Sequence, residues 1–371
     1  MSLSTTALHE LHKELGGRLV DFAGWELPVQ FAGIISEHQH TRQSASLFDV
    51  SHMGQILIRP ESGNLADAAA LLETLIPASV AGLKEGRQRY GLFTDENGGI
   101  LDDLMFAHHG DRYFLVVNAA RSDHDLGLLH TLEGVTVEHL TDRSLLALQG
   151  PRAEEALGGL VPEATGLKFM DSQILDWDGI QVWISRSGYT GEDGFEISVP
   201  SLEAERLARA LLECGWVLPA GLGARDSLRL EAGMPLYGHD LSRDITPAEA
   251  DLGWAIPKVR RRGGSREGGF PGAGVILEQL VEGPSRKRVG LRAEGRAPVR
   301  EGAKLFLSVE DTEPVAEVTS GGFGATVGGP IAMAMLPAEI QPGTTVHAEV
   351  RGKRLPLTIT ALPFITPSYK R

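Results

Sequence analysis

Short stretches in which apolar residues alternate with polar ones, or run together, predict strands at Gln55–Arg59, Asp111–Asn118, Ser144–Gln149 and Ile180–Arg186. Helices are predicted between them. Leu65–Leu75 is rich in alanine and leucine. The next helix begins with Ser201 as its N-cap, carries Glu203 and Glu205 in its first turns, and has Gly215 beyond its end. Leu207, Ala210, Leu211 and Cys214 recur at helical spacing there, which predicts a buried thiol for Cys214, the one cysteine of the chain. After Pro284 the pattern is almost wholly of strands: Lys287–Ala293, Lys304–Val309, Pro314–Ser320 and Thr345–Ala361, the last folded at Arg351-Gly352-Lys353. These predict a C-terminal antiparallel barrel of about ninety residues. No fixed-period repeat is present, and strands and helices do not strictly alternate.

At ~150 residues per domain, 371 residues suggest two or three domains. The expected division is 1–275, two interleaved α+β subdomains, followed by a barrel domain at 284–371. Between them Lys258–Gly274, reading KVRRRGGSREGGFPGAG, is expected to be an exposed loop. Its basic cluster suits either a solvated linker or a surface that steers an acidic carrier protein.

The net charge of −14 opposes binding to phosphate backbones. The long uncharged stretch Val318–Ala338 holds five glycines and two prolines, a poor composition for a membrane helix. Met1–Gly17 has no apolar signal core, carries Glu10 and Glu14, and has few arginines. The expectation is a cytoplasmic protein with neither nucleic-acid nor membrane partners. A single cysteine allows no internal disulfide and no multi-cysteine metal site. A nucleophile elbow, a phosphate-binding loop and an H-E-x-x-H helix are all absent. Glu37-His38-Gln39-His40 reads as a solvated helix face and His108-His109 as a strand-to-turn pair; no metal is expected.

Four dense motifs remain. Phe48-Asp49-Val50-Ser51-His52-Met53-Gly54 mixes an acid, a hydroxyl, an imidazole and a thioether where a helix is expected to give way to a strand. Gly98-Gly99-Ile100-Leu101-Asp102-Asp103-Leu104 is a turn and then a strand opening on adjacent carboxylates. Neighbours on a strand point to opposite faces, so one aspartate is expected inward and one outward. An inward carboxylate needs a partner, which makes it a site candidate, although capping of backbone amides would also satisfy it. Gly188-Tyr189-Thr190-Gly191-Glu192-Asp193-Gly194-Phe195-Glu196 places three glycines before a strand that opens on Glu196, where a carboxylate can accept two parallel N–H bonds or simply face solvent. In Gly221-Leu222-Gly223-Ala224-Arg225-Asp226-Ser227-Leu228-Arg229-Leu230-Glu231, Arg225 and Arg229 share a helix face and repel unless acids or an anionic ligand lie between them. Asp226 and Glu231 are possible structural partners.

Together with Val20-Asp21-Phe22-Ala23-Gly24-Trp25-Glu26-Leu27-Pro28, Gln149-Gly150-Pro151, Thr319-Ser320-Gly321 and Pro363-Phe364-Ile365, these motifs resemble the glycine cleavage T-protein (aminomethyltransferase) family over nearly the whole chain. The resemblance implies an α+β, three-domain fold around a folate cavity, with the C-terminal barrel. It implies transfer of the methylene group from an aminomethyl-lipoyl H-protein to tetrahydrofolate, with release of ammonia. By motif, the functional acid matches Asp103, the pterin-binding glutamate Glu196, the nearby tyrosine Tyr189 and the arginine Arg225. Met53, Tyr90 and Asn118 match other pocket positions, and Tyr369 matches the C-terminal tyrosine. Two departures stand out: the Lys258–Gly269 loop is longer than in some relatives, and the family's T-S-G-x-F-S-P-T reads Thr319-Ser320-Gly321-Gly322-Phe323-Gly324-Ala325-Thr326 here. Two rivals remain: another folate-dependent demethylase or methyltransferase of the superfamily, and a non-catalytic folate-binding protein. The flavin-fused oxidases that share the module need a domain this chain has no room for. The K-G-C-Y motif of the non-catalytic relatives is missing.

Overall fold

A computed structural model describes residues 3–371. Two sheets, a barrel and an N-terminal hairpin (Arg18–Phe22 with Trp25–Gln30) organise the chain. The first sheet has five antiparallel strands in the order Gln88–Thr94, Ile100–His108, Tyr113–Val117, Gly54–Pro60, Val135–His139. The second has six, in the order Ser172–Trp177, Ile180–Ser185, Gly194–Pro200, Arg143–Gln149, Ala45–Asp49, Val217–Pro219; its last pair is parallel. The chain starts the six-stranded sheet, leaves it to build the five-stranded one, and returns.

The first motif is that crossing. Strand Ala45–Asp49 ends, Val50–Met53 turn, and Gly54–Pro60 begins in the other sheet. A strand, not the expected helix, precedes the turn, because all five residues of Ala45–Asp49 are buried between neighbouring strands. The two sheets share an apolar layer: Leu57, Ala107, Phe114 and Val116 from one meet Phe48, Leu145, Ala147 and Trp183 from the other. Ala224 and Leu228 of the helix Leu222–Glu231 complete it. That helix sits close to its neighbours because its glycines allow it; a Cβ on Gly221 would lie 2.5 Å from the Val29 carbonyl carbon.

The C-terminal strands close into a six-stranded antiparallel barrel, from Arg286–Ala293 round to Lys353–Thr360. The turn at Arg351 and Gly352 has positive φ at both positions (51° and 73°), as a tight two-residue hairpin turn needs. The uncharged stretch Val318–Ala338 is the hairpin of Ala316–Gly324 and Gly329–Pro337, whose inner residues fill the barrel. Among the described residues no helix is long and apolar enough to cross a membrane.

Several local expectations change. The helix Ser201–Leu212 makes no side-chain cap; Ser201 is its first residue, and its Oγ meets Ser144 Oγ at 3.1 Å instead. Cys214 lies just past that helix and is half-buried against the core rather than within it. The helix Ile34–Gln43 does not present Glu37 and His38 to solvent; they are 4% and 0% exposed. Glu37 accepts from the Phe31, Gly33 and Gly221 amides. His38 bonds Ser227, Glu231 and Thr326, so a polar helix face becomes a junction between two helices and the barrel.

Lys258–Gly274 is docked rather than solvated. Arg260 is 4% exposed and, with Arg266, pairs with the buried Glu73; Phe270 is buried beside it. Arg261 donates to the Gly253 and Ile256 carbonyls. Arg260, Arg261 and Arg266 are therefore held by internal acceptors, while Lys258 and Arg262 remain exposed.

Candidate active site

Strand Ile100–His108 lies between Gln88–Thr94 and Tyr113–Val117. Its alternation sends Asp102, Leu104 and Phe106 to one buried face and Asp103 and Met105 to the other, where both are half-buried. Tyr90 pairs with Met105 in register, which puts it on the Asp103 face two positions away. Its hydroxyl donates to Asp103 Oδ2 at 3.1 Å. Asn118 follows the third strand directly, and its Nδ2 donates to Asp103 Oδ1 at 2.8 Å and to Asp102 Oδ1 at 2.9 Å. The Asn118 backbone N–H adds a bond to Asp102 Oδ2 at 3.2 Å.

The inward–outward expectation fails for Asp102. It is 0% exposed, because the helix Ser122–Leu129 covers that face and brings the equally buried Asp125 against it. Burial first, then the Asp102 charge, pushes Asp103 up to about 7, against the lowering by Tyr90 and Asn118. A carboxyl poised there exchanges a proton at physiological pH.

The Gly188–Gly194 turn carries Tyr189 to the same region. Its outer glycines are needed for close approach: a Cβ on Gly188 would lie 1.8 Å from the Gln149 side-chain oxygen, and one on Gly194 2.4 Å from the Leu148 carbonyl. Tyr189 donates its hydroxyl to the Pro235 carbonyl, and its ring centre lies 4.9 Å from the Arg225 guanidinium carbon. Tyr189 is within electrostatic reach of both Asp103 and Arg225, and Arg225 of Glu196, so the four groups line one region. Glu196 sits inside the strand Gly194–Pro200 rather than opening it, and its Oε2 accepts from Ser187 Oγ at 3.0 Å. Met53 packs half-buried in the layer between the sheets.

The two arginines of the helix have different fates. Arg229 is tied to Asp226 and Asp240, each at 2.8 Å, and to Ser320 Oγ at 2.9 Å. Asp240 in turn accepts from Thr319 and Ser320, so the Thr319-Ser320-Gly321 motif docks the barrel onto this helix. Glu231 faces the other way, to His38, Arg42 and the Thr326 and Val327 amides; against desolvation, His38 and these donors hold it down at about 2. The altered Gly324-Ala325-Thr326 segment still meets Glu231, so its departure from the family pattern leaves this junction intact. Arg225, in contrast to Arg229, has no carboxylate at salt-bridge distance among the described residues, and its Nη1 is buried without a hydrogen-bond partner. An orphaned buried cation is costly unless a ligand supplies the anion.

Tyr369 stands in different company. It stacks on Phe169 with ring centres 4.2 Å apart, and burial pushes it up to about 12. Its neighbour Ser368 bonds the Gly191 carbonyl and Glu192. Among the described residues no hydrogen bond or ring contact links Tyr369 to Asp103, Glu196 or Arg225. Two groups escaped the sequence reading. Trp254, 65% exposed, packs on Tyr90 with ring centres 5.3 Å apart and planes tilted by 32°; a lone tryptophan after a glycine carries no periodic signal. Asp125 reads as an ordinary acid in the first turn of a helix.

The GCVT N-terminal domain model matches residues 8–260, and the glycine cleavage T-protein C-terminal barrel domain model matches 286–365. The chain belongs to the glycine cleavage T-protein family. It is 44% identical to a mitochondrial aminomethyltransferase of Dictyostelium discoideum, over 100% of this chain and 94% of that one. It is 42% identical to the mitochondrial aminomethyltransferase of Gallus gallus, over 99% and 94%. The crystal structure of glycine cleavage system aminomethyltransferase T from Bartonella henselae matches with a TM-score of 0.90 and 41% identity, covering all of both chains. The expected cytoplasmic location is overturned: the Dictyostelium discoideum and Gallus gallus relatives, and others of similar identity, are named as mitochondrial proteins. The absence of an apolar signal core near the N-terminus was too weak a signal to place the protein.

Proposed function

We infer that the protein is the aminomethyltransferase of a glycine cleavage system, moving the methylene group of an aminomethyl-lipoyl H-protein onto tetrahydrofolate. In that reaction the C–S and C–N bonds of the aminomethyl group break and two C–N bonds to folate form. The two folate N–H protons end on the lipoyl sulfur and on ammonia. Tetrahydrofolate supplies the two nucleophilic nitrogens. The observation that carries the reading is the placement of Asp103, a half-buried carboxyl held by Tyr90 and Asn118, near Tyr189, whose ring lies beside Arg225.

In this reading Asp103 stabilises positive charge developing on the transferred carbon and orients or deprotonates the attacking nitrogen. Glu196 accepts paired N–H bonds from the pterin edge. Arg225 takes the carboxylate-bearing side of the folate, which suits its orphaned Nη1. Tyr189, Tyr90, Asn118 and Met53 line the pocket, whereas Tyr369, stacked on Phe169, stands apart from them. The residues present fit folate, and the chemistry assigned to them needs no metal. We also propose that 1–275 and 284–371 act as separate domains, joined through Asp240 and Glu231. The test is formation of ammonia and methylenetetrahydrofolate from aminomethylated H-protein; release of a methyl-derived product from another sulfur or amine donor instead would overturn it.

A further inference from the structure

Behind Asp103 the hydrogen-bond count does not close. Asp102 accepts two N–H bonds from Asn118, at 3.2 and 2.9 Å. Asp125, 0% exposed, has its Oδ1 3.1 Å from His124 Nδ1. Its Oδ2 is buried and, among the described residues, meets no N–H or O–H donor, and the Asp125 carboxyl neighbours that of Asp102. Two carboxylates do not face each other in a dry site without a shared proton. Donor count decides its home: Asp102 has two N–H donors and is suited to the anion, so Asp125 is the acid.

The surroundings agree. Arg121, on the same short segment, gives its Nε to the Leu101 carbonyl and lies over the Tyr237 ring at 5.4 Å rather than bonding Asp125. Its Nη2 and the Ser122 Oγ are buried without partners. His124 is 32% exposed at the solvent end, with Arg121 and Arg243 near it; Asp103 and, beyond it, Tyr90 close the other end. Burial first, then Asp102, pushes Asp125 far up from the usual carboxylate range.

We propose that Asp125 is a positioning residue for the reaction: as a neutral carboxylic acid it donates its proton to Asp102, keeps Asp102 anionic, and through the shared Asn118 amide fixes the placement and charge of Asp103. The proposal deepens the assignment of Asp103 and rests on it. Asp102 keeps one negative charge a single asparagine side chain away from Asp103. Asp125→Asn retains an N–H donor toward Asp102. Asp125→Ala removes it, and the buried Asp102, short of a donor, takes up a proton from solvent and no longer presents a charge to Asp103.

The experiment has two arms on the full-length protein. The first is the infrared spectrum of wild type and Asp125→Asn at pH 9, where Asp103 is ionised, without substrate. A protonated-carboxyl C=O band is expected in wild type and lost in the variant; its absence from wild type, or its persistence in Asp125→Asn, overturns the proposal. The second is the pH dependence of single-turnover transfer from aminomethylated H-protein at saturating tetrahydrofolate. Asp125→Ala is expected to move the acid-side midpoint down by about one pH unit, a tenfold change in the ionisation of Asp103, while Asp125→Asn stays near wild type. Equal midpoints in all three proteins, or equal shifts in both variants, overturn it. If Asp125→Ala fails to fold, the infrared arm decides, and because that arm needs no turnover it is read separately from the assigned activity.

Discussion

The Arg225 guanidinium lies 4.9 Å from the centre of the Tyr189 ring and has no carboxylate in salt-bridge contact, although Arg229, one turn on, is held by two. One helix face thus carries one arginine spent on structure and one whose Nη1 is buried without a partner. Hydrogen bonds to a charged group contribute ~1.5–3 kcal/mol, so Glu196→Gln and Arg225→Ala are each expected to raise the tetrahydrofolate Kd roughly ten- to a hundredfold. Calorimetry measures this directly; unchanged Kd values in both variants would remove these residues from the folate site.

Asp103→Asn is expected to fold and to bind tetrahydrofolate while losing about 10²–10⁴-fold in single-turnover transfer. In the proposed role the anion is the active form, and with its ionisation raised to about 7 the wild-type rate is expected to fall as pH drops below 7 and to level off above it. A pH-independent wild-type rate between 5 and 9, or a near-wild-type Asp103→Asn, would show that another group carries the chemistry.

Glu73 is 5% exposed and neutralises Arg260 and Arg266 together. Removing one partner of a buried pair costs about 3–5 kcal/mol, so Glu73→Ala is expected to lose stability on that scale in chemical denaturation. Reversing the charges of Lys258 and Arg262, for which the structure gives no carboxylate partner, is expected to cost under about 0.5 kcal/mol. Similar losses for both changes would mean that the loop is not docked as described.

His52 and His109 are buried, which lowers both to about 4; nearby arginines, Arg225 for His52 and Arg112 for His109, act in the same direction. The unfolded chain takes up protons at these sites from pH 6.5 downward, while the folded protein does so only near 4. Stability is therefore complete above 6.5 and is lost as pH falls toward 4, by up to roughly 3 kcal/mol per group. Denaturation at pH 7 and pH 5 measures the slope, and His109→Gln is expected to flatten it. An unaltered slope in that variant would mean His109 is not neutral and buried.

Alternation along the chain was enough to place most strands, the barrel and its Arg351-Gly352 turn, and short motifs in family order were enough to place the family. These are local properties: a strand's period and a turn's φ are set by residues within a few positions of each other. What lies against the second face of an element is not local. Period two put Asp102 and Asp103 on opposite faces, but only the helix Ser122–Leu129 made the far face an interior and supplied Asp125. Helical spacing put Arg225 and Arg229 side by side, but only Asp240, brought in with the barrel, separated their roles. The basic loop and the Glu37-His38 pair looked solvated because charge by itself signals water; Glu73 and Glu231, 187 and 193 positions away, turned them inward. Partners at such separations are chosen when the elements pack, because desolvating a charge is tolerable only where the fold delivers its counter-charge.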